Sequence, residues 1–175
     1  MAYGFAFFAM ISLGVLGSAD AGVACGDIET TTPGSLIESL HPDFARVRFV
    51  DGEACTCDCP EGDTCDWQHT IKADRLLAPG VRLLVVNSNH RTGSGAWDHV
   101  TVVRCASGRA TLVFRRRYLA GATLTEASPT TLTIVSGDWL DADPMCCPSR
   151  EKRETFVWDS LKGRFTLMKT VRRPR

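Results

Sequence analysis

The chain reads as a mainly β protein, an antiparallel meander, sandwich or curved sheet with one short N-terminal helix, stabilised by disulfides. Three observations predict this. Short runs with strand periodicity recur from residue 44 to 168, separated by Gly-, Asp- and Ser-containing turns. No long amphipathic helical pattern interrupts them. Eight cysteines, an even number, follow an apolar leader.

Residues 1–21 come first. Met1–Gly17 carries no charge, and its apolar run Phe5–Leu16 has the length of a signal-peptide core. Ala19-Asp20-Ala21 offers small residues where a signal peptidase cuts. No Lys or Arg precedes the apolar core, which is a departure from the usual leader. The expectation is export to the periplasm or beyond, with a single β-rich domain over residues 22–170. About 150 residues suffice for one apolar core. Gly22 stands where a lipoprotein box needs a bulky aliphatic residue, which argues against a lipid anchor on Cys25. No later segment has the length of a transmembrane helix.

Thr32 can cap a short helix over Gly34–Leu40, with Pro33 in its first turn, and His41-Pro42 stops it. Phe44–Val50 alternates as a strand ending at the turn Asp51-Gly52. Residues 53–69 form an acidic, cysteine-rich loop. Val81–Val86 is apolar on both faces, as a central strand is. Val100–Val103 and Ala110–Tyr118 flank the turn Ala106-Ser107-Gly108-Arg109 as a hairpin. Leu132–Ser136 is a further strand. Glu154–Trp158 and Arg164–Met168 make a terminal hairpin, and residues 171–175 read as a flexible tail.

The formal net charge is zero, but residues 1–66 hold two basic and eleven acidic side chains, and residues 67–175 hold eighteen and nine. An acidic N-terminal section packed on a basic sheet accounts for this. Arg115-Arg116-Arg117 splits between two strand faces, and no aromatic stacking pattern accompanies it, so no nucleic-acid partner is expected.

Cys25, Cys55, Cys57, Cys59, Cys65, Cys105, Cys146 and Cys147 are all expected in disulfides. Adjacent Cys146 and Cys147 should bridge to two different partners. One is expected to reach the 55–65 loop, the other Cys105 or Cys25. A Cys55–His69 zinc module is the competing reading, but two separated Cys-x2-4-Cys knuckles are absent, so no metal and no cofactor is expected.

The loop 90–99 is the best candidate binding site, through His90, Arg91, Trp97, Asp98 and His99. Adjacent Asp98 and His99 face opposite sides of a strand, and no nucleophile, base and orienter share a recognisable spacing. No catalytic residue is therefore assigned. The expected function is a non-catalytic domain that binds an unknown envelope or extracellular partner. A small secreted hydrolase using His90, Asp98 and His99 is the alternative.

Two segments resemble the LppP/LprE-type envelope lipoproteins of bacteria. One is the glycine loop His90–His99 with Val100-Thr101-Val102-Val103. The other is Asp143-Pro144-Met145-Cys146-Cys147-Pro148-Ser149 with the strand ending at Trp158. The resemblance implies an extracytoplasmic β-rich domain and carries no activity with it.

Overall fold

The computed structural model describes residues 23–56, 67–91, 93, 95–144 and 147–175. The leader and most of the cysteine loop, including Cys57, Cys59 and Cys65, lie outside these residues, as does Cys146. Eight antiparallel strands form one open sheet in sequence order: β1 (Glu53–Thr56), β2 (Trp67–Ala78), β3 (Val81–His90), β4 (Ala96–Ala106), β5 (Arg109–Ala127), β6 (Thr131–Asp138), β7 (Arg150–Asp159) and β8 (Arg164–Pro174). Helix α1 (Pro33–Leu40) and two 3-10 turns, Cys25–Asp27 and Pro42–Phe44, precede the sheet. Among the described residues no helix is long and apolar enough to cross a membrane.

The predicted hairpin is present. Ser107 and Gly108 both have positive φ, 51° and 81°, which matches the right-handed twist of β4 and β5. Thr32 caps α1 by accepting from the Ser35 N–H at 3.3 Å, with Pro33 at the first helical position.

A single sheet has two faces, and both are apolar here. One carries Leu83, Val85, Val100, Val102, Leu132, Ile134, Phe156 and Phe165. This face closes on itself: the ring of Phe114 lies 4.8 Å from Phe156 and 5.7 Å from Phe165, joining β5 to β7 and β8. The other face carries Leu84, Val86, Val103 and Ala110 and is covered by Ile28, Leu36, Ile37, Phe44 and Val47. Each large side chain so covered contributes about 1.5–3 kcal/mol.

Arg82 fixes this N-terminal layer to the sheet. Its side chain is 8% exposed. Nε and Nη2 donate to the two carboxylate oxygens of Asp74 at 2.7 and 2.6 Å, and Nη1 donates to the carbonyls of Ile28 and Thr31 at 2.7 and 2.6 Å. A covalent staple reinforces it. Cys25 and Cys105 are disulfide-bonded across 80 residues of sequence, a closure worth about 4 kcal/mol in the chain-entropy account.

Four expectations need correction. Residues 44–50 are not a strand, because burial falls on Phe44 and Val47, three apart, while Arg46 and Arg48 stay exposed. The period is that of a 3-10 turn and loop. Residues 171–174 are not a free tail: Val171 pairs with Arg153 and Pro174 with Arg150 in the β7–β8 ladder. Cys25 and Cys105 bond to each other, so neither is the partner of the Cys146-Cys147 pair. Cys147 is disulfide-bonded, but Cys55 is a free, exposed thiol. It lies on β1 opposite Gln68, facing away from the layer that buries Ala54.

Replacing Arg82 with Met should lower stability by about 3 kcal/mol, because Asp74 and two carbonyls lose their donor together. Urea unfolding of the full chain measures this. A variant as stable as the parent would show that the layer is held by apolar contact alone.

Candidate functional site

The site forms where the N-terminal layer meets β2, β3, β4 and β5. His41 ends α1 and opens the following 3-10 turn, with its Nδ1 accepting the Asp43 backbone N–H at 3.3 Å. Asp43 and Phe44 follow on that turn. From the sheet come His69 on β2, Ser88 on β3, Trp97 and His99 on β4, and Tyr118 on β5. The ladder registers His69↔Ser88 and Ser88↔Trp97 put these side chains on one face.

A bulge places the last of them. Asp98 pairs with Leu119 and Val100 with Arg116, so Arg117 and Tyr118 together oppose His99. Tyr118 takes φ 55°, a left-handed conformation that costs a non-glycine residue about 1–2 kcal/mol. The distortion turns its ring to within 5.3 Å of His99. Bulges re-aim side chains in this way.

Between these groups lies a half-open cavity of about 260 Å³ lined by Asp43, Phe44, Trp67, His69, Ser88, Trp97, His99 and Tyr118. Phe44 is its hub, with ring centroids 4.9 Å from His41 and 5.2 Å from both His69 and His99. His69 Nδ1 and the Ser88 hydroxyl share a hydrogen bond of 2.9 Å. Arg117 holds one Asp43 oxygen at 3.0 Å, while the other lies 3.9 Å from His41 Nδ1. Trp139 packs 5.3 Å from Trp97, and its indole N–H donates to the Pro144 carbonyl. Asp143 secures that loop by accepting the backbone N–H groups of Leu140 and Ser149.

Two ring nitrogens at the site are buried without a hydrogen-bond partner: His41 Nε2 and His99 Nδ1. Burial pushes the His41 imidazole down to about 4, with Asp43 opposing and His99, Arg115 and Arg117 adding to the shift. Burial likewise lowers His99 to about 4, opposed by Asp43 and Asp98, and it lowers His69. One donor atom from each of His41, Asp43 and His99 lies within 4.8 Å of the others.

Of the residues singled out from the sequence, Trp97 and His99 line the cavity. His90 sits at its edge, 4.9 Å from the Trp67 ring, and Arg91 is exposed. Asp98 belongs to the other face of the sheet. There it accepts from Lys72 Nζ at 2.7 Å, Asn87 Nδ2 at 2.8 Å and the Ala122 N–H at 2.6 Å. It therefore orients neither His99 nor His90. Cys55 and His69 also take opposite faces, because Cys55 pairs with Gln68 and His69 with Ala54. They cannot share an ion.

His41, Asp43, Phe44, Trp67, Ser88 and Tyr118 were not legible as site residues in the sequence, and His69 was read only as the end of a zinc module. Alternation of Trp67, His69 and Ile71 was the available signal for β2. His41-x-Asp43 was available too, but its role as a helix stop concealed it. No known protein family, curated protein or solved structure matches this chain.

Two outcomes test this geometry. In chelator-treated protein, stability should be full above about pH 6.5 and should fall as pH drops toward 4. The unfolded imidazoles take up protons there before the folded ones do. The loss is on the order of 3 kcal/mol for each of His41 and His99. Urea midpoints across pH 4–8 measure it, and His99→Asn should flatten the slope. Separately, Tyr118→Gly should leave the melting temperature unchanged or higher, whereas Tyr118→Val should lower it, because only glycine relieves the positive φ. Equal losses in both variants would mean that the ring, not the backbone, dominates this position.

Proposed function

We propose that the chain is a non-catalytic, extracytoplasmic binding domain whose pocket takes one small, neutral, ring-bearing ligand. The observation that carries this reading is the cavity itself. Trp67, Trp97, Phe44 and Tyr118 provide aromatic walls, and Ser88, His69 and His99 provide hydrogen-bonding groups. Apolar walls with a few convergent polar groups are the usual composition of a ligand site. A volume of about 260 Å³ suits a single substituted ring. The one carboxylate at the wall, Asp43, already holds Arg117 through one oxygen, so a charged substituent on the ring gains little there.

An extracytoplasmic location is supported by the disulfide Cys25–Cys105, by the disulfide at Cys147 and by the leader sequence. The resemblance to the LppP/LprE-type proteins points to the bacterial envelope, and the partner is then an envelope or extracellular molecule.

The hydrolase alternative takes a different form from the one the sequence suggests. Ser88 and His69 stand at nucleophile–base distance, 2.9 Å. However, Ser88 is only 3% exposed, and its hydroxyl sits on a strand among aromatic walls rather than on a turn that would present it. A structural hydrogen bond suits that setting better.

Titration with a panel of monosaccharides and substituted single-ring aromatics, followed by tryptophan emission, tests the binding reading. At least one should give a saturable change, and Trp97→Ala should weaken it at least tenfold. Silence across the panel would overturn the ligand class. Labelling of Ser88 by a fluorophosphonate, together with ester turnover, would overturn the non-catalytic assignment.

A further inference from the structure

We infer that His41, Asp43 and His99 form a binding site for a single divalent transition-metal ion at the inner end of this pocket. The inference rests on the same pocket being the binding site and adds a metal to it.

Three features converge. The first is the donor set. Two imidazoles and one carboxylate have donor atoms within 4.8 Å of one another, and this combination suits zinc and its neighbours. The second is the buried, unpartnered Nδ1 of His99. His41 is wholly buried and His99 is 4% exposed. A buried polar atom with no partner costs about 1–3 kcal/mol. A metal ion on His99 Nδ1 replaces the missing bond there, while His41, whose Nδ1 accepts the Asp43 N–H at 3.3 Å and whose Nε2 therefore carries the proton, ligates by giving up that hydrogen bond. The third is the support around Asp43. Arg117 holds one carboxylate oxygen at 3.0 Å and leaves the other beside His41. Metal-ligating carboxylates are commonly oriented by such an outer hydrogen bond.

The spacing is that of an open site. Around a tetrahedral ion with bonds of about 2.0–2.1 Å, two ligand imidazole centroids stand about 5 Å apart. The rings of His41 and His99 stand 6.1 Å apart, about 1 Å wider than such a pair. Three protein ligands leave a fourth position open. Asp43 and His99 both line the cavity, so that position faces it.

The surroundings select the ion. Arg115 and Arg117 act electrostatically on His41, and their charge works against any cation. A hard ion that depends on several oxygen ligands finds only one carboxylate here. Zinc, cobalt and nickel, which gain most from imidazole nitrogen, are favoured over calcium and magnesium.

The test uses the tag-free full chain, stripped with chelator and folded under oxidising conditions. Titration with Zn²⁺ by calorimetry should show one ion per chain, and Mg²⁺ and Ca²⁺ should show none. Co²⁺ should give visible bands of a four- or five-coordinate nitrogen–oxygen site. Asp43→Asn and His99→Gln should each weaken Zn²⁺ binding at least tenfold, while Cys55→Ser and Arg91→Ala should leave it unchanged. Asp43→Asn is nearly isosteric at a partly exposed position, and circular dichroism will confirm that it folds. Absence of 1:1 uptake would overturn the inference. So would a thiolate-to-cobalt charge-transfer band, which would place the ion on cysteine, or full affinity in the folded Asp43→Asn protein. Repeating the ring-ligand titration in chelator separates the two readings. Ring binding without metal uptake removes the metal alone. Metal uptake with no ring ligand removes the ligand class alone.

Discussion

The arrangement depends on one buried guanidinium. Arg82 sits on a central strand, where an unpaired charge would be strongly unfavourable. Its donors reach a carboxylate on β2 and two carbonyls of the N-terminal segment. These acceptors compensate its burial and also set where the N-terminal layer lies. That layer is the source of His41, Asp43 and Phe44, an essential part of the functional cluster. The site is therefore not a property of the sheet. It exists because a short irregular segment is registered against the sheet by an interaction well away from the site's own residues.

A second constraint comes from strand alternation. A strand gives its successive residues to opposite faces, and both faces here are buried. Asp98 and His99 illustrate the result. They are neighbours in sequence, yet one joins Lys72, Asn87 and Ala122 beneath the sheet while the other joins the pocket above it. Continuing the Val100↔Arg116 register without a break would set Arg117 opposite His99 and Tyr118 opposite Asp98, on the far face. The bulge at Arg117–Tyr118 inserts the extra residue that brings both within reach of His99, at the expense of a strained backbone. Strain of this kind persists where its surroundings over-determine it.

The sequence made some of this legible and concealed the rest for identifiable reasons. Helix α1 was readable because its cap and its proline are local signals. The Ser107-Gly108 hairpin was readable because a turn needing positive φ has a narrow residue preference. The β-rich class and the apolar β3 followed from periodicity. Residues 44–50 were misread because apolar Ala45, Val47 and Phe49 alternate with Arg46 and Arg48, while Phe44 and Val47 in fact pack with the neighbouring helix. Strand β2 went unseen because its buried positions include a histidine. Of the site, Trp97 and His99 could be picked out from a loop flank rich in functional residue types. Their partners could not. His41 and Asp43 lie far from His99 along the chain, and only the docking of the N-terminal layer brings them together.

The disulfide between Cys25 and Cys105 has a topological consequence for this cluster. It closes residues 25–105 into one covalent ring, and His41, Asp43, His69, Ser88, Trp97 and His99 are all members of that ring. Strands β5 to β8, with Arg117 and Tyr118, lie outside it. The chemistry-bearing half of the molecule is thus tethered independently of its C-terminal half. A single backbone cut between these cysteines, in the segment joining β1 to β2 for instance, would leave every one of those side chains still joined to the others through a continuous chain of covalent bonds.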